Sequence, residues 1–376
     1  MVDYNYSILI AVFSIFASVA AIQLFYYLFF YLAVNGFKPN DKKTKVQPVS
    51  VIICARDEAQ NLEKFLPAVL GQDYPDYEVI VVNDCSEDDS YEILGKFQGQ
   101  YPHLKVSSIY KDPKFSHSKK FAQFIGIKAA KNEILLFTDA DCKPESDKWL
   151  EVMSSHFDEK TAFVLGYGGY NMEKGLLNKY IRYDSMFIAM QYLGMAIRGI
   201  PYMGVGRNMA YRRSVFFSSG GYGTFNHLVS GDDDLFVNTN ATRSNTCVEF
   251  RPGTHTRSVP YFRFNEWIRQ KKRHLTTAPY YTFRDKLLLI TEPVARVLFY
   301  STFIILLSFT FLWPYVLAIF GLRLITQIIV FSLVRKKLNE PGILAYSLFF
   351  DIVSPVINGI IYLNNFRKSS GQNRWK

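Results

Sequence analysis

Two groups of carboxylates in this chain stand directly after apolar runs, and a third follows a short polar turn. Residues 77–83 run into Asp84, residues 133–138 run into Asp139-Ala140-Asp141, and Ser230-Gly231 precedes Asp232-Asp233-Asp234. In open α/β sheets, ligands bind outside the carboxyl ends of the strands. Carboxylates placed there can hold a hard divalent cation against substrate phosphates. A lone Asp-x-Asp is commonly a solvated turn. Here it follows a buried-strand pattern and has Asp84 at a second strand end, so one acid can reach a metal while the other reaches ribose or the metal's waters. Strongly hydrophobic segments at both ends of the chain complete the picture of a membrane-bound enzyme with a nucleotide-activated substrate.

An α/β domain over residues 48–275 must position these groups. Strand-like runs at 49–55, 78–83, 105–109, 133–138 and 162–165 alternate with amphipathic stretches, which implies a mostly parallel sheet. Leu62, Phe65, Leu66, Val69 and Leu70 recur at helical spacing. Pro67 among them predicts a kink or an early stop. A second such stretch carries Phe121, Phe124 and Ile125. There is no internal repeat and no low-complexity tract.

The flanking units read as membrane segments. Within residues 1–36, the stretch 7–34 is almost free of charge and exceeds the roughly 20 apolar residues that cross a bilayer. A cleavable signal peptide is shorter and has basic residues ahead of its apolar run. Here Asp3 precedes the run, and Lys38, Lys42, Lys43 and Lys45 follow it in a polar linker over 38–48. The positive-inside rule then puts the N-terminus outside and the next domain in the cytosol, as in an integral protein of a bacterial inner or plasma membrane. Residues 287–366 hold apolar segments at 297–313, 316–334 and 343–363, interrupted by Arg323, Gln327, Asp351 and Pro355. If all three cross, Arg367, Lys368, Arg374 and Lys376 end up outside, against the charge rule. One segment is therefore expected to lie in the interface or to re-enter. Arg323 and Asp351 should face protein, water or headgroups.

The chain of 376 residues is 49% hydrophobic and 16% aromatic, rich for a soluble enzyme, and carries a formal charge of +10. Its basic residues, including Arg335, Lys336 and Lys337, flank apolar segments rather than forming a stripe, so nucleic acid is not an expected partner. Cys54, Cys85, Cys142 and Cys247 form no CxxC pair and suggest neither zinc nor a disulfide framework. They read as small buried residues in a reducing compartment. His117 and His255 lack a second ligand at metal spacing and read as locally hydrogen-bonded. Trp149 reads as core.

The segment Val49-Ser50-Val51-Ile52-Ile53-Cys54-Ala55-Arg56-Asp57-Glu58, then Val81-Val82-Asn83-Asp84-Cys85-Ser86-Glu87-Asp88, then Asp139-Ala140-Asp141, resembles glycosyltransferase family 2. The resemblance covers the whole 48–275 domain, and the order and spacing of the motifs are specific to the family. It implies a GT-A-like α/β fold flanked by transmembrane helices, a nucleotide-diphosphate sugar donor such as a UDP-sugar, and inversion at the anomeric carbon. It further implies that Asp57 or Glu58 and Asp84 hold the base and ribose, and that Asp139 and Asp141 bind the diphosphate through Mg or Mn. From the residues alone, Asp57-Glu58 serves equally well as a helix cap.

Gly231-Asp232-Asp233-Asp234-Leu235 resembles the family's Glu-Asp-x-Asp-Leu segment, with Gly231 where Glu is usual. On that register Asp232 is the general base that takes the acceptor proton, with Asp233 in reserve. Three adjacent like charges are costly unless offset. Gln270-Lys271-Lys272-Arg273-His274 resembles the Gln-x-x-Arg-Trp motif of membrane-bound members, among them ceramide glucosyltransferases, hyaluronan synthases and poly-N-acetylglucosamine synthases. His274 stands at the Trp position, which is associated with closing the pocket. Gln270 and Arg273 then belong to the catalytic group, with Arg273 stabilising the departing diphosphate. The plain alternative is a basic interfacial helix drawn to anionic lipid. Gly204-Val205-Gly206-Arg207-Asn208 resembles the acceptor-side loop, which puts Gly206, Arg207 and Asn208 with Asp233 and His274 on the acceptor side. Lys119 either approaches the diphosphate or begins a solvated helix.

The combined expectation is a membrane-anchored inverting glycosyltransferase acting on a lipid or glycan acceptor. A processive polysaccharide synthase is the alternative within the family, disfavoured by the few spans. A nucleotidyl- or phosphotransferase would show a phosphate loop such as GxxxxGK[ST], and the chain has none. A non-catalytic membrane scaffold would tolerate loss of Asp232 or Asp139, and both are present.

Overall fold

The computed structural model describes residues 2–38, 46–111 and 118–367. Lys42, Lys43, Lys45, most of the linker, His117, Lys368, Arg374 and Lys376 lie outside the described residues, as do the side chains of Asp3 and Arg367. Ten strands are described: β1 Val49–Ala55, β2 Tyr77–Asp84, β3 Leu104–Ile109, β4 Ile134–Phe137, β5 Cys142–Pro144, β6 Phe163–Gly166, β7 Gly168–Tyr170, β8 Met209–Arg212, β9 Thr246–Glu249 and β10 Thr256–Ser258. Seven form one sheet in the order β3-β2-β1-β4-β8-β6-β9, and β5-β10-β7 form a second, small sheet. In the large sheet β8 runs antiparallel to both β4 and β6, and the other neighbours are parallel.

The parallel half explains itself. Every residue of β1 and β4 is buried, because helices cover both faces, and such strands read as continuous apolar runs. Ile52 pairs with Ile80 on one side and Phe137 on the other. Alternate residues fill two different cores: Ile52, Ile80 and Leu135 pack on one face, Val51, Val79 and Leu136 on the other. All three apolar runs therefore deliver their carboxyl ends, and Asp57, Asp84 and Asp139 with them, to one edge of the sheet.

Of the kink or early stop expected from sequence, the early stop does not occur: helix Ala59–Leu70 runs through Pro67. The proline sits in the last turn, where only one intrahelical bond is forfeited, and buried Leu66, Val69 and Leu70 anchor that turn. Helix Lys119–Ala129 buries Ala122, Gly126 and Ile127, whereas Phe124 is exposed. The small residues, not the aromatic ones, face the sheet. Trp149 is wholly buried, and His255 is buried with Nε2 2.8 Å from Phe250 O, both in line with the sequence reading.

Among the described residues, four helices are long and apolar enough to cross a membrane: Tyr6–Gly36, Phe283–Ser308, Trp313–Lys337 and Leu344–Asn365. The charges deep within them, Glu292, Arg296, Arg323 and Asp351, face protein. Arg323 Nη2 donates to Asp351 Oδ2 at 2.7 Å and to Gln23 Oε1 at 3.0 Å, and Arg296 joins Asp351 and Glu292 at 3.1 and 2.8 Å. Four buried charges of balanced sign thus tie the helices together, the arrangement that makes such groups tolerable in a low dielectric. The last helix behaves differently from the others. Near its start Tyr346 accepts from Lys179, and near its end Asn365 donates to Lys272 O, so both ends touch the α/β domain. The first helix meets that domain closely as well. A methyl group on Gly194 of helix Leu176–Ile197 would come within 2.3 Å of Phe30 O.

Candidate active site

The site begins where β1 and β2 end. Asp57 sits at φ +53°, a left-handed conformation that Asp tolerates. Its amide donates to Ser86 Oγ (2.9 Å), and its Oδ1 accepts from Glu87 N (2.8 Å). Asp88 reaches across to accept from Ala59 N at 2.9 Å, so helix Ala59–Leu70 is capped from the neighbouring loop. The local cap position falls on Glu58, not Asp57. These bonds hold open a cleft lined by Asp57, Glu58, Asn61 and Asp88. Asp57 is exposed at its mouth, whereas Asp84, expected as a nucleoside ligand, is fully buried at the end of β2.

The turn after β4 carries the central acids. Donor atoms of Asp139, Asp141 and Cys142 lie within 4.8 Å of one another. Lys119 Nζ stands 2.8 Å from Asp139 Oδ1. Burial alone would push the Asp139 carboxyl up, but Lys119, with Arg207 and Arg273 beyond it, holds it below the usual range. Asp141 moves the other way, pushed up by burial and by the charge of Asp139. Ser258 Oγ of β10 donates to Asp141 Oδ2 at 2.6 Å, and the Cys142 thiol donates to Oδ1. Burial pushes that thiol up, so it stays protonated and the exposed donor set is carboxylate oxygen. Two repelling carboxylates on one turn suit Mg or Mn, which take one or two carboxylates and fill the rest of their shell with phosphate and water.

The third group divides its work. Lys119 also stands 3.5 Å from Asp232 Oδ2, and although burial opposes its charge, Asp139, Asp232 and Asp233 hold the ammonium charged. Asp232 is 5% exposed. Asp233 is half-buried; it accepts from Gly206 N at 2.7 Å and from Asp234 N at 2.8 Å, capping helix Asp234–Asn240. Burial, then Asp232 and Asp234, push the Asp233 carboxyl up to about 7. Asp234 is buried and accepts from Tyr281 OH at 2.7 Å and from Thr277, so it anchors the chain rather than facing the site. Gly231, where the family usually has Glu, sits at φ +108°, a conformation that a side chain would strain.

Above the acids lies a cationic wall. Arg207 stacks 4.4 Å from the Tyr170 ring centre and donates to Gly168 O at 2.9 Å. Tyr170 OH donates to Gln270 Oε1 at 3.2 Å. Helix Phe264–Leu275 presents Lys272, Arg273 and His274 in its last turn, where cations suit the helix dipole. Lys271 turns inward to Asp184 at 2.6 Å, which docks this helix on Leu176–Ile197. His274 is exposed at the rim.

The structure brings together Asp57, Glu58, Lys119, Asp139, Asp141, Asp233, Gly206, Arg207, Gln270 and Arg273 on one side of the domain. It corrects Asn208, which is fully buried. Trp149 Nε1 donates to Asn208 Oδ1 at 3.0 Å, and its amide nitrogen donates to Tyr167 O and Thr254 O, so it supports the loop and touches no acceptor. Sequence reasoning missed Ser258, for which a three-residue strand far along the chain gives no signal.

Residues 50–217 match the profile of the Glycosyl transferase family 2. Among curated proteins, the chain is 40% identical over 105 residues to glycosyltransferase AglE of Haloferax volcanii, covering 27% of this chain and 33% of that one. It is 29% identical over 208 residues to the probable glycosyltransferase YdaM of Bacillus subtilis, covering 52% and 47%. The matched region thus spans about a third to a half of these relatives. Among solved structures, a mannosyltransferase from Pyrobaculum calidifontis, crystallised with GDP-Man and Mn2+, aligns over 92% of this chain and 99% of its own with a TM-score of 0.58 at 18% identity. The shared fold is the GT-A-like α/β arrangement.

Proposed function

The chain carries a family 2 glycosyltransferase domain, and on that premise we propose that the protein is an inverting glycosyltransferase. It moves a sugar from a nucleotide-diphosphate sugar, a UDP-sugar in the first instance, to a lipid or short-glycan acceptor at a membrane. The observation that carries this reading is the place of Lys119, 2.8 Å from donor-side Asp139 and 3.5 Å from Asp232 of the acceptor-side pair. A single displacement needs the leaving diphosphate and the attacking hydroxyl held on either side of one carbon, and these two acidic groups flank one cation.

In this reading the nucleoside occupies the cleft at the ends of β1 and β2, with Asp57 and Glu58 at its mouth and Asp84 behind them. Asp139 and Asp141 hold Mg or Mn, which when bound neutralises charge on the leaving diphosphate. Lys119 and Arg273 meet the same diphosphate from the protein side, and Gln270, fixed by Tyr170, orders the wall above it. Asp233 takes the acceptor proton. The motif register names Asp232 for this role, but Asp232 is buried against Lys119, while Asp233 is only half-buried and its carboxyl is pushed up to about 7, the range that suits a general base. Gly206, Arg207 and His274 border the acceptor.

The last apolar helix favours the shorter acceptors. The contact of both of its ends with the α/β domain supports a place along the interface; in this reading three helices cross, and the C-terminus shares the cytosolic side with the catalytic domain. Three crossing helices leave little room for a polymer channel, which weighs against the processive alternative. The deciding experiment is donor hydrolysis and transfer by the detergent-purified chain, using a panel of UDP- and GDP-sugars with Mn or Mg, with and without membrane lipid extract. Metal-dependent release of nucleotide that lipid stimulates supports the reading. No donor binding across the panel would return the protein to the scaffold class.

A further inference from the structure

The turn 338–343, which joins two of the long apolar helices, inserts into the α/β domain. Its Glu340 is fully buried. Oε2 accepts from Arg182 Nε at 2.7 Å, and Oε1 accepts from Tyr167 OH at 2.8 Å and pairs with Arg257 Nη1. Arg257 lies on β10, and every nitrogen of its guanidinium is engaged. Nε donates to Glu145 at 2.7 Å, Nη1 to Glu340, and Nη2 to Leu338 O and Asn339 O at 3.0 Å each. A buried, planar fork satisfied on all sides fixes the backbone that carries it. The next residue on that backbone is Ser258, whose hydroxyl holds Asp141. Strand β10 pairs with β5 so that Arg257 faces Lys143 and Ser258 faces Cys142, and Val259 N donates to Asp141 O.

We propose that Glu340 is a positioning residue for the diphosphate end of the site: from a membrane-side turn it clamps Arg257 and β10, and so sets Ser258 and the Asp141 carboxylate. The inference rests on the role given to Asp139 and Asp141 in holding a divalent cation. Partners that orient a metal ligand alter affinity when removed even though they never touch the ion. Tying that partner to a turn between membrane helices makes the cation site depend on how the membrane region is seated against the catalytic domain.

The test uses the full chain in detergent, with Mn2+ binding read from the electron paramagnetic resonance signal of free Mn2+, with and without UDP. Hydrogen exchange at residues 142–144 and 256–259 is the second readout. Glu340→Gln and Ser258→Ala are each expected to weaken Mn2+ binding by roughly tenfold or more, the usual scale for such partners, and Glu340→Gln to speed exchange in both segments. Arg182→Met loosens the turn from helix Leu176–Ile197 but leaves the Arg257 contact; it is expected to lower the melting temperature and keep Mn2+ affinity. If Glu340→Gln and Ser258→Ala bind Mn2+ like the parent, the inference falls alone. It also falls if Arg182→Met weakens binding as much as they do, because the turn would then act only as a general fastener. If the parent chain binds no Mn2+, the inference falls together with the metal reading, and that outcome separates the two failures.

Discussion

Lys119 and Asp139 form an ion pair at the centre of the site, with Nζ 2.8 Å from Oδ1. On the proposed reading this puts a fixed cation where a diphosphate would arrive. Lys119→Met is expected to raise the donor KM by about tenfold, the value of one charge-assisted hydrogen bond of roughly 1.5 kcal/mol. Steady-state kinetics against donor concentration checks it. An unchanged KM would remove Lys119 from the donor site.

The two acids before helix Asp234–Asn240 can be told apart by substitution. Asp233→Asn is expected to lower kcat by roughly a hundredfold or more, the usual share of a general base, with donor binding intact. Asp232→Asn should retain measurable turnover. The reverse pattern would restore the base to Asp232.

The same pair sets a pH dependence. The Asp233 carboxyl is pushed up to about 7, and only its deprotonated form accepts a proton, so kcat/KM should rise as pH increases through about 7. Asp232→Asn removes a neighbouring negative charge and should move that limb to lower pH. A limb that stays in place in the variant would show that another group titrates.

Chelation by EDTA is expected to abolish turnover, and added Mn or Mg to restore it. Asp139→Ala should lose metal-supported nucleotide binding in calorimetry as well as activity. Equal nucleotide binding with and without metal in the parent chain would end the metal role.

An epitope at the C-terminus should be protected in sealed right-side-out vesicles and exposed in inverted ones, on the same side as the catalytic domain. Labelling on the opposite side would mean that helix Leu344–Arg367 crosses.

Much of this was legible because burial leaves a mark in sequence. Strands β1, β2 and β4 are covered on both faces and read as apolar runs, so Asp139 could be placed at a strand end. Strands β7 and β10, of three residues each, are too short to show any alternation. The hold of Ser258 on Asp141 spans 117 positions, and that of Arg257 on Glu340 spans 83. Neither distance has a local signature. Asn208 misled for a related reason: a glycine-flanked turn looks the same whether its Asn meets solvent or, as here, the Trp149 indole. The early stop suggested by Pro67 did not occur because the cost of a proline depends on how near the helix end lies, and that end has no mark in the sequence.

The close seating of Gly194 against Phe30 O packs helix Leu176–Ile197 of the α/β domain directly on the first helix. Arg198 Nε donates to Phe29 O in the same place and adds a second tie. With the first helix across a bilayer, as proposed, these contacts would set the height of the proposed reaction centre above it. On that reading, an acceptor whose hydroxyl rides at that height would find the site by lateral diffusion alone, whereas one that projects too far or too little would be rejected by altitude before any pocket residue had sampled its shape.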